Sequence, residues 1–405
     1  MVFPTIFAGA FLAALIVGAG GFTSAIAQAE WTQGSALSVK PTGPMETVFD
    51  WSRDSCVKSH VPDAPARAFR NADGEVRLVI SHNDNRVHVG RSLDEVARDC
   101  TVVHEAHRSP NLRDFDDLTW ISGIYTRDGQ TVYALAHTEL RGERTRGQCP
   151  AGSYSACLLN TVTGLVSQDG GRSFRPADNG GRPPVVATLP YPYPVDRLAR
   201  VGYANPTNII EREGWFYAFM FADGYKAQAR GNCLIRTKNL EDPTSWRAWN
   251  GRDFSVRFVD PFRDAVQDPE AHVCAPVASH IVNRMIGGLV THRASGAVIA
   301  VFGDKRQLPD GRHVEGIFAT TSKDLLTWSE PSLIMKAQLL WDIACGDAEA
   351  FFYPSLVDPA ARTMSFEDFG DRGYLYLARY QNLKNCKVTW DRDLVRVPVS
   401  IQPLR

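Results

Sequence analysis

The sequence lacks an excess of either charge: 44 Lys and Arg stand against 45 Asp and Glu, a formal net charge of -1. Nucleic acids and anionic membranes select a basic surface, so a general affinity for either is excluded. There is no Walker A loop, no Gly-x-Gly-x-x-Gly after a strand and no Gly-x-Ser-x-Gly elbow. These absences remove the P-loop, dinucleotide-binding and α/β-hydrolase readings. His104-Glu105-Ala106-His107 is one residue short of His-Glu-x-x-His, so no zincin helix is offered. Without a Cys-x-x-Cys pair there is neither a zinc ribbon nor a thioredoxin motif. What is present is ordinary for a globular chain of 405 residues: 44% hydrophobic, 22% charged and 10% aromatic, with Gly 32 and Pro 24. Collagen-like, disordered and low-complexity classes are excluded on that composition.

Residues 1–29 carry no charged side chain, and 7–18 are apolar. Small residues at 25–29 suit signal peptidase, although no Lys or Arg precedes the apolar run. The stretch is also long enough to act as an uncleaved anchor. The crowding of Gly and small residues in its second half favours a cleaved signal peptide over residues 1–29. All eight cysteines lie beyond it, and an even number in an exported chain reads as disulfides in an oxidising compartment, periplasmic or secreted. Cys149 and Cys157 are the expected pair, a staple within one loop.

The remainder, residues 30–405, reads as one domain of short strands repeated five times. Polar turns precede very apolar runs at Val76–Ile80, 132–136, 215–219, 298–302 and 374–378. Asp-Gly or Gly between β-rich runs is the hairpin signal. Third strands end in Ser92-Leu93-Asp94, Ser167-Gln168-Asp169, Thr237-Lys238-Asn239, Ser322-Lys323-Asp324 and, more weakly, Trp390-Asp391-Arg392-Asp393. No long amphipathic helix interrupts them. Radial repetition leaves few sheet edges exposed, so an all-β, five-bladed β-propeller of four-stranded antiparallel blades is the economical fold.

Two of the turns resemble known motifs. Ser167-Gln168-Asp169-Gly170-Gly171-Arg172-Ser173-Phe174 resembles the Asp box of sialidases and related propellers. Ser322-Lys323-Asp324-Leu325-Leu326-Thr327-Trp328 is similar to the turn of five-bladed, furanosidase-type glycoside hydrolases. The chemistry of both is structural, with the carboxylate accepting backbone N–H groups and the aromatic ring wedged into the blade. The resemblance implies a glycosidase in which an Asp opens the first blade and a Glu from another blade is the acid. It also implies that a structural calcium on the axis would suit the fold, though no ligand run in this sequence demands a cofactor.

Propeller topology converts position into function. Residues just before first strands and just after second strands crowd around one axial mouth. Those positions hold Asp63, Arg67, Trp120, His82, His137, Glu139, Asn205, Asn208, Asp223, Glu349, Tyr353 and Arg379, a set rich in carboxylates, imidazoles, guanidinium groups and amides. Asp63 is expected as base or nucleophile and Glu139 as general acid, with Glu349 the second candidate. The third blade enters through 203–208 without a Glu, a departure from the family pattern. Arg67, Trp120, His137, Asn208, Asp223, Tyr353 and Arg379 are expected to orient the sugar. Trp246, Trp249, Trp328 and Trp390 are expected as core wedges.

A further bias lies in the loops after the second strands, where Arg141, Arg144, Arg146, Lys226, Arg230, Lys305, Arg306, Arg312, Arg379, Lys384 and Lys387 cluster. A basic mouth would capture an acidic glycan; the alternative is that these side chains pair with nearby acids. The function expected is therefore an exported glycoside hydrolase acting on carbohydrate as a monomer, with no nucleic acid and no integral membrane segment after signal cleavage. Two competitors remain. One is a polysaccharide lyase using His137 or Tyr353 as base, with Arg67 or Arg379 neutralising a uronate. The other is a non-catalytic carbohydrate-binding propeller.

Overall fold

The computed structural model describes residues 36–403 apart from 81, 146, 151, 178–182, 194–198, 309–310, 345 and 384–386. The expected signal segment lies outside the described residues, as do Arg146, Lys384, Cys345 and Cys386. Among the described residues no helix is long and apolar enough to cross a membrane.

Period-two alternation puts every second side chain into the same interface, and the apolar runs accordingly form strands. Blade 1 contains Arg67–Arg70, Val76–Ile80, Asp84–Gly90 and Ala97–Glu105, each antiparallel to the last. Blade 2 contains Leu118–Tyr125, Val132–Arg141 and Leu158–Ser167, with Arg175–Pro176 and Val185–Ala187 sharing its outer edge. Blade 3 begins with Val201–Ala204, continued by Ile210–Arg212, and adds Trp215–Asp223, Gly231–Thr237 and Arg247–Ala248. Blade 4 contains Ile286–His292, Val298–Gln307, His313–Ser322 and Ser332–Lys336. In blade 5, Glu349–Val357, Arg372–Gln381 and Arg392–Pro403 are completed on the outside by the N-terminal strands Leu37–Pro41 and Glu46–Phe49.

The inner strands of blades 1 and 2, 3 and 4, 4 and 5, and 5 and 1 touch, while the inner strand of blade 3 runs against the third strand of blade 2. The sheets close into a five-bladed ring. Among the described residues five apolar clusters lie between sheets, one per junction, and a sixth packs Ala350, Ala378, Tyr380 and Leu383 within blade 5. Phe69 and Val79 meet Ile121 between blades 1 and 2, and Tyr125 meets Phe216 between blades 2 and 3. Phe219 joins Phe302 between blades 3 and 4, Val290 joins Leu375 between blades 4 and 5, and Tyr376 joins Leu78 across the closing junction. Trp246 and Trp328 are buried in these layers, as expected of wedges.

The blade turns owe their shape to short polar side chains. Asp169 Oδ1 accepts from the N–H of Arg172 and of Ser173, both at 3.0 Å, while Phe174 is buried beneath. Asp324 Oδ1 accepts from Leu326 N at 2.9 Å and Thr327 N at 2.7 Å. Both carboxylates are spent on the turn.

One cation holds the hub. Arg67, only 4% exposed, sends Nε to Ser122 O at 2.6 Å and Nη2 to Gly287 O at 2.7 Å, with Nη1 on Ala66 O at 3.1 Å. A side chain of blade 1 thus reaches blades 2 and 4 together, across the axis. Ser122 and Gly287 sit where the inner strands of those blades shift register, between Ile121 and Gly123 and between Ile286 and Gly288. A bulge frees a carbonyl from its ladder, and the guanidinium fork collects two such carbonyls. Burial pushes the pKa of Arg67 down to about 9, so it stays charged at neutral pH. Arg67→Met would leave buried carbonyls without donors, each costing about 1–3 kcal/mol. Urea unfolding should show that variant less stable by about 3 kcal/mol or more; an unchanged midpoint would contradict the hub role.

Candidate active site

Glu139 sits at the end of the second strand of blade 2, opposite Leu118 on one side and Asn160 on the other. Burial pushes its carboxyl pKa up to about 7, the hydrogen bond donated by Tyr154 works against that rise, and the charge of Asp63 adds to it. Asp63 arrives from the segment before the inner strand of blade 1. Its Oδ1 accepts from Arg392 Nη1 at 2.7 Å and from Tyr380 Oη at 3.4 Å, while Oδ2 faces His82 Nε2 at 3.8 Å. Two carboxyl groups from different blades therefore share one field in unlike surroundings.

Blades 2 and 3 are joined where Val201 and Gly202 run parallel to Leu159 and Asn160. Gly202, at φ +99, allows this approach, because a Cβ there would lie 2.0 Å from Asn160 O. The junction sandwiches His137 between two amides, with Nε2 at 3.1 Å from Asn160 Oδ1 and Nδ1 at 3.2 Å from Asn205 Oδ1. Asn160 Nδ2 points to Asp223 Oδ2 at 3.4 Å, so Asn160 Oδ1 is the acceptor for an Nε2–H proton. Burial pushes the pKa of His137 down, against the bonds to Asn160 and Asn205, which raise it. Burial also raises Asp223, against the opposing charge of Arg200, whose Nε lies 3.1 Å from Oδ2.

These groups line a cavity of about 180 Å³. Blades 2 and 3 supply His137, Glu139, Asn160, Arg200, Asn205, Phe221, Asp223 and Arg230, and blades 4 and 5 supply Arg284, Met285, Trp341, Phe352 and Tyr353. Two of its residues hold left-handed backbone, Asn205 at φ 44 and Tyr353 at φ 55. Such conformations are uncommon for residues with a side chain and concentrate at functional sites. Tyr353 owes its place to a register shift between Phe352 and Ser355. Trp341, 37% exposed, stands edge-on to Phe352 with ring centroids 4.8 Å apart. A larger recess of about 370 Å³ lies beside Leu112, Tyr193 and Phe262, but no carboxylate or imidazole lines it.

Of the residues expected at the mouth, His137, Glu139, Asp223 and Tyr353 line this cavity, and Asp63 acts on it electrostatically. The others are placed elsewhere. Arg67 is the axial hub described above. Asn208 is not a mouth residue because the inner strand of blade 3 starts earlier, at Val201. Its amide instead mimics a strand, donating to Leu289 O at 2.8 Å and accepting from Leu289 N at 2.8 Å. Trp120 is buried at 6% exposure and stacks on His137, with centroids 5.6 Å apart, from behind the cavity wall. Glu349 lies exposed at the outer end of its strand, opposite Gln381. Arg379 pairs with the buried Asp393 at 2.7 Å, next to the N-terminal strand. Trp390 is not a wedge but stands beside His82, with centroids 5.6 Å apart.

Sequence reasoning missed Asn160, Arg200, Arg284, Tyr154, Trp341 and Arg392. Asn160 was accessible in principle, since its alternation on the third strand matches that of Glu139. The basic loops also divide. Arg141 pairs with Glu143, Arg144 with Asp117 and Arg306 with Asp304. The cavity instead carries Arg200, Arg230 and Arg284, of which Arg230 bonds a backbone carbonyl, Asn283 O at 3.1 Å, and has no carboxylate within ion-pair distance among the described residues.

A calcium ion on the axis does not fit these residues. The guanidinium of Arg67, itself a cation, spans the axis, and among the described residues no three His, Cys, Asp or Glu side chains gather to hold a metal.

No family model matches the chain, and no curated protein matches it either. Among solved structures the fold is similar to three sugar-cleaving enzymes. One is an α-L-arabinanase from Cellvibrio cellulosa complexed with arabinohexaose, at TM-score 0.42 and 12% identity over 83% of this chain and 91% of that one. Another is the catalytic domain of a GH62 α-L-arabinofuranosidase from Coprinopsis cinerea, at TM-score 0.44 and 8% identity over 90% and 98%. The third is a glycosyl hydrolase from Bacteroides ovatus, at TM-score 0.45 and 8% identity over 93% and 99%. The likeness is one of backbone fold, and the chemistry of the cavity stands on its own residues.

The burial of Glu139 has a consequence for stability. Its folded pKa of about 7 lies above the ordinary glutamate value of 4.5, so the folded chain binds the extra proton. The stability it contributes is present below pH 4.5 and lost as pH rises through 7. Glu139→Gln should therefore gain stability relative to wild type between those limits, as read by urea unfolding at both; parallel pH dependence would show the carboxyl to be unshifted.

Proposed function

We propose that this chain is a glycoside hydrolase that cleaves a glycosidic bond in an oligo- or polysaccharide carrying acidic groups. The observation that supports it is the pair of carboxyls in opposed environments: Glu139, half-buried with its pKa pushed up to about 7, and Asp63, ion-paired with Arg392 within its electrostatic reach. Hydrolysis needs that asymmetry, one acid to protonate the leaving oxygen and one carboxylate as base or nucleophile. Glu139 gives its proton to the leaving oxygen, while Asp63 takes a proton from water or attacks the sugar carbon. Trp341 offers a ring face to the sugar, and His137, held by Asn160 and Asn205, offers a fixed polar wall.

The acidic preference is supported by charge. Three guanidinium groups line the cavity against two carboxyl groups, of which Glu139 has its pKa pushed up to about 7. The disulfides Cys56–Cys100, Cys149–Cys157 and Cys233–Cys274 support an oxidising compartment, periplasmic or secreted.

Hydrolysis is favoured over β-elimination because the bases drawn for a lyase are poorly set. Both ring nitrogens of His137 face amides, and burial raises the Tyr353 phenol well above its usual range. Arg67 and Arg379 are engaged away from the cavity.

Purified protein screened against acidic and neutral glycans should release reducing ends without an unsaturated, ultraviolet-absorbing product. Glu139→Gln and Asp63→Asn should each lower kcat by about 10²–10⁴-fold. Wild-type activity should decline above pH about 7, as Glu139 loses its proton. Absorbing products would establish a lyase, and binding without turnover a carbohydrate-binding propeller. Uronate-containing oligosaccharides should bind more weakly as salt is raised while neutral ones do not; equal, salt-insensitive binding removes the acidic preference.

A further inference from the structure

Resting on that reading of Glu139, we infer that the Cys149–Cys157 disulfide ring is a tether that holds Tyr154 over the mouth as the positioning residue of the acid. Tyr154 Oη donates to Glu139 Oε2. The phenol reaches the carboxyl across one blade. Cys157 closes a short turn, Ser155–Cys157, and leads directly into the strand Leu158–Ser167, which pairs with the strand of Glu139.

The ring is built to be stiff. Within it Gly152 N donates to Cys149 O, and Cys157 N is shared between Ser153 O and Tyr154 O, all at 3.1 Å. The hydroxyl of Tyr193 anchors its far end on Cys157 O. The aromatic ring of Tyr154 is covered on one side by the guanidinium of Arg141 at 4.8 Å, and Arg141 is held in turn by Glu143. Yet Tyr154 remains 42% exposed, one of few large hydrophobic side chains left open. An untethered surface tyrosine would spread over several rotamers, and fixing it would cost side-chain entropy. Closing the loop covalently moves that cost to the formation of the disulfide.

The bond has a chemical consequence. A hydroxyl donating to Oε2 leaves Oε1 as the oxygen that carries the acid proton. In the reaction the Oε1–H bond breaks, the proton joins the leaving oxygen, the glycosidic C–O bond breaks and the attacking oxygen bonds to the sugar carbon. The carboxylate left on Glu139 then keeps a donor already in place, so Tyr154 stabilises the charge that develops there. The other groups acting on Glu139 are Asp63 from blade 1, which raises its pKa, and Arg200 and Arg141, which lower it. Tyr353 lies in the same field. Of these, only Arg141 touches the tethered ring.

The test reads Glu139 directly, by carboxyl-carbon NMR titration of the full chain with glutamate label, and in parallel by the pH profile of turnover. Tyr154→Phe should move the Glu139 midpoint upward by about one pH unit, shift the alkaline limb with it and lower kcat about tenfold, with KM nearly unchanged. Replacing both Cys149 and Cys157 by Ala should give the same upward shift, and adding Tyr154→Phe to that variant should add nothing. Should the double cysteine variant fail to fold, limited reduction of this bond in the folded wild type, verified by alkylation mapping, supplies the same comparison. A wild-type midpoint in Tyr154→Phe, or in the chain lacking the Cys149–Cys157 bond, overturns the tether. The midpoint shift without any glycan cleavage would retain the tether and sink the hydrolase reading; cleavage with wild-type titration in both variants would do the reverse.

Discussion

The arrangement depends on one buried guanidinium. The blades are twisted sheets packed face to face through apolar layers, and apolar packing alone does not fix how far the inner strands stand from the axis. Arg67 does so by reaching the carbonyls of Ser122 and Gly287 at once. Its desolvation is offset by carbonyl dipoles rather than by a countercharge, since no ion pair to it is found among the described residues. The carboxyls of the cavity belong to different blades, so their spacing is inherited from this hub.

Asp63 and Glu139 stand in different environments. Asp63 keeps a guanidinium and a phenol on one oxygen, whereas Glu139 is walled in by a blade junction and faces the field of Asp63. Burial raises the proton affinity of Glu139 without any unusual covalent chemistry. The strained backbone at Asn205 and Tyr353 marks the cost of bringing polar side chains into a place where regular strands would present none.

The ring was legible because it is periodic: the hairpin turns and the five apolar second strands repeat, and period two survives any loop length. The mouth was legible only where a strand boundary was. Glu139, His137 and Asp223 follow apolar runs whose ends are sharp, and they line the cavity. Asn208 was misplaced because the inner strand of blade 3 is broken between Ala204 and Ile210, a break that no local pattern announces. Arg67 was misread for another reason. Its position at the start of a strand is where a rim residue would lie, and only the bulged carbonyls of two distant blades reveal that it turns inward. Trp341 and Arg284 sit in long connections between blades, where the alternation argument has nothing to hold.

The last blade is a composite of segments far apart in the chain: Leu37 lies opposite Pro403 and Pro41 opposite Val399. A ribosome delivers the first of these strands long before the second. The ring therefore cannot lock until the strand Arg392–Pro403 has emerged, however well the intervening sheets have formed. Until then the earlier strand must wait unpaired, an open edge on which copies of the chain can associate.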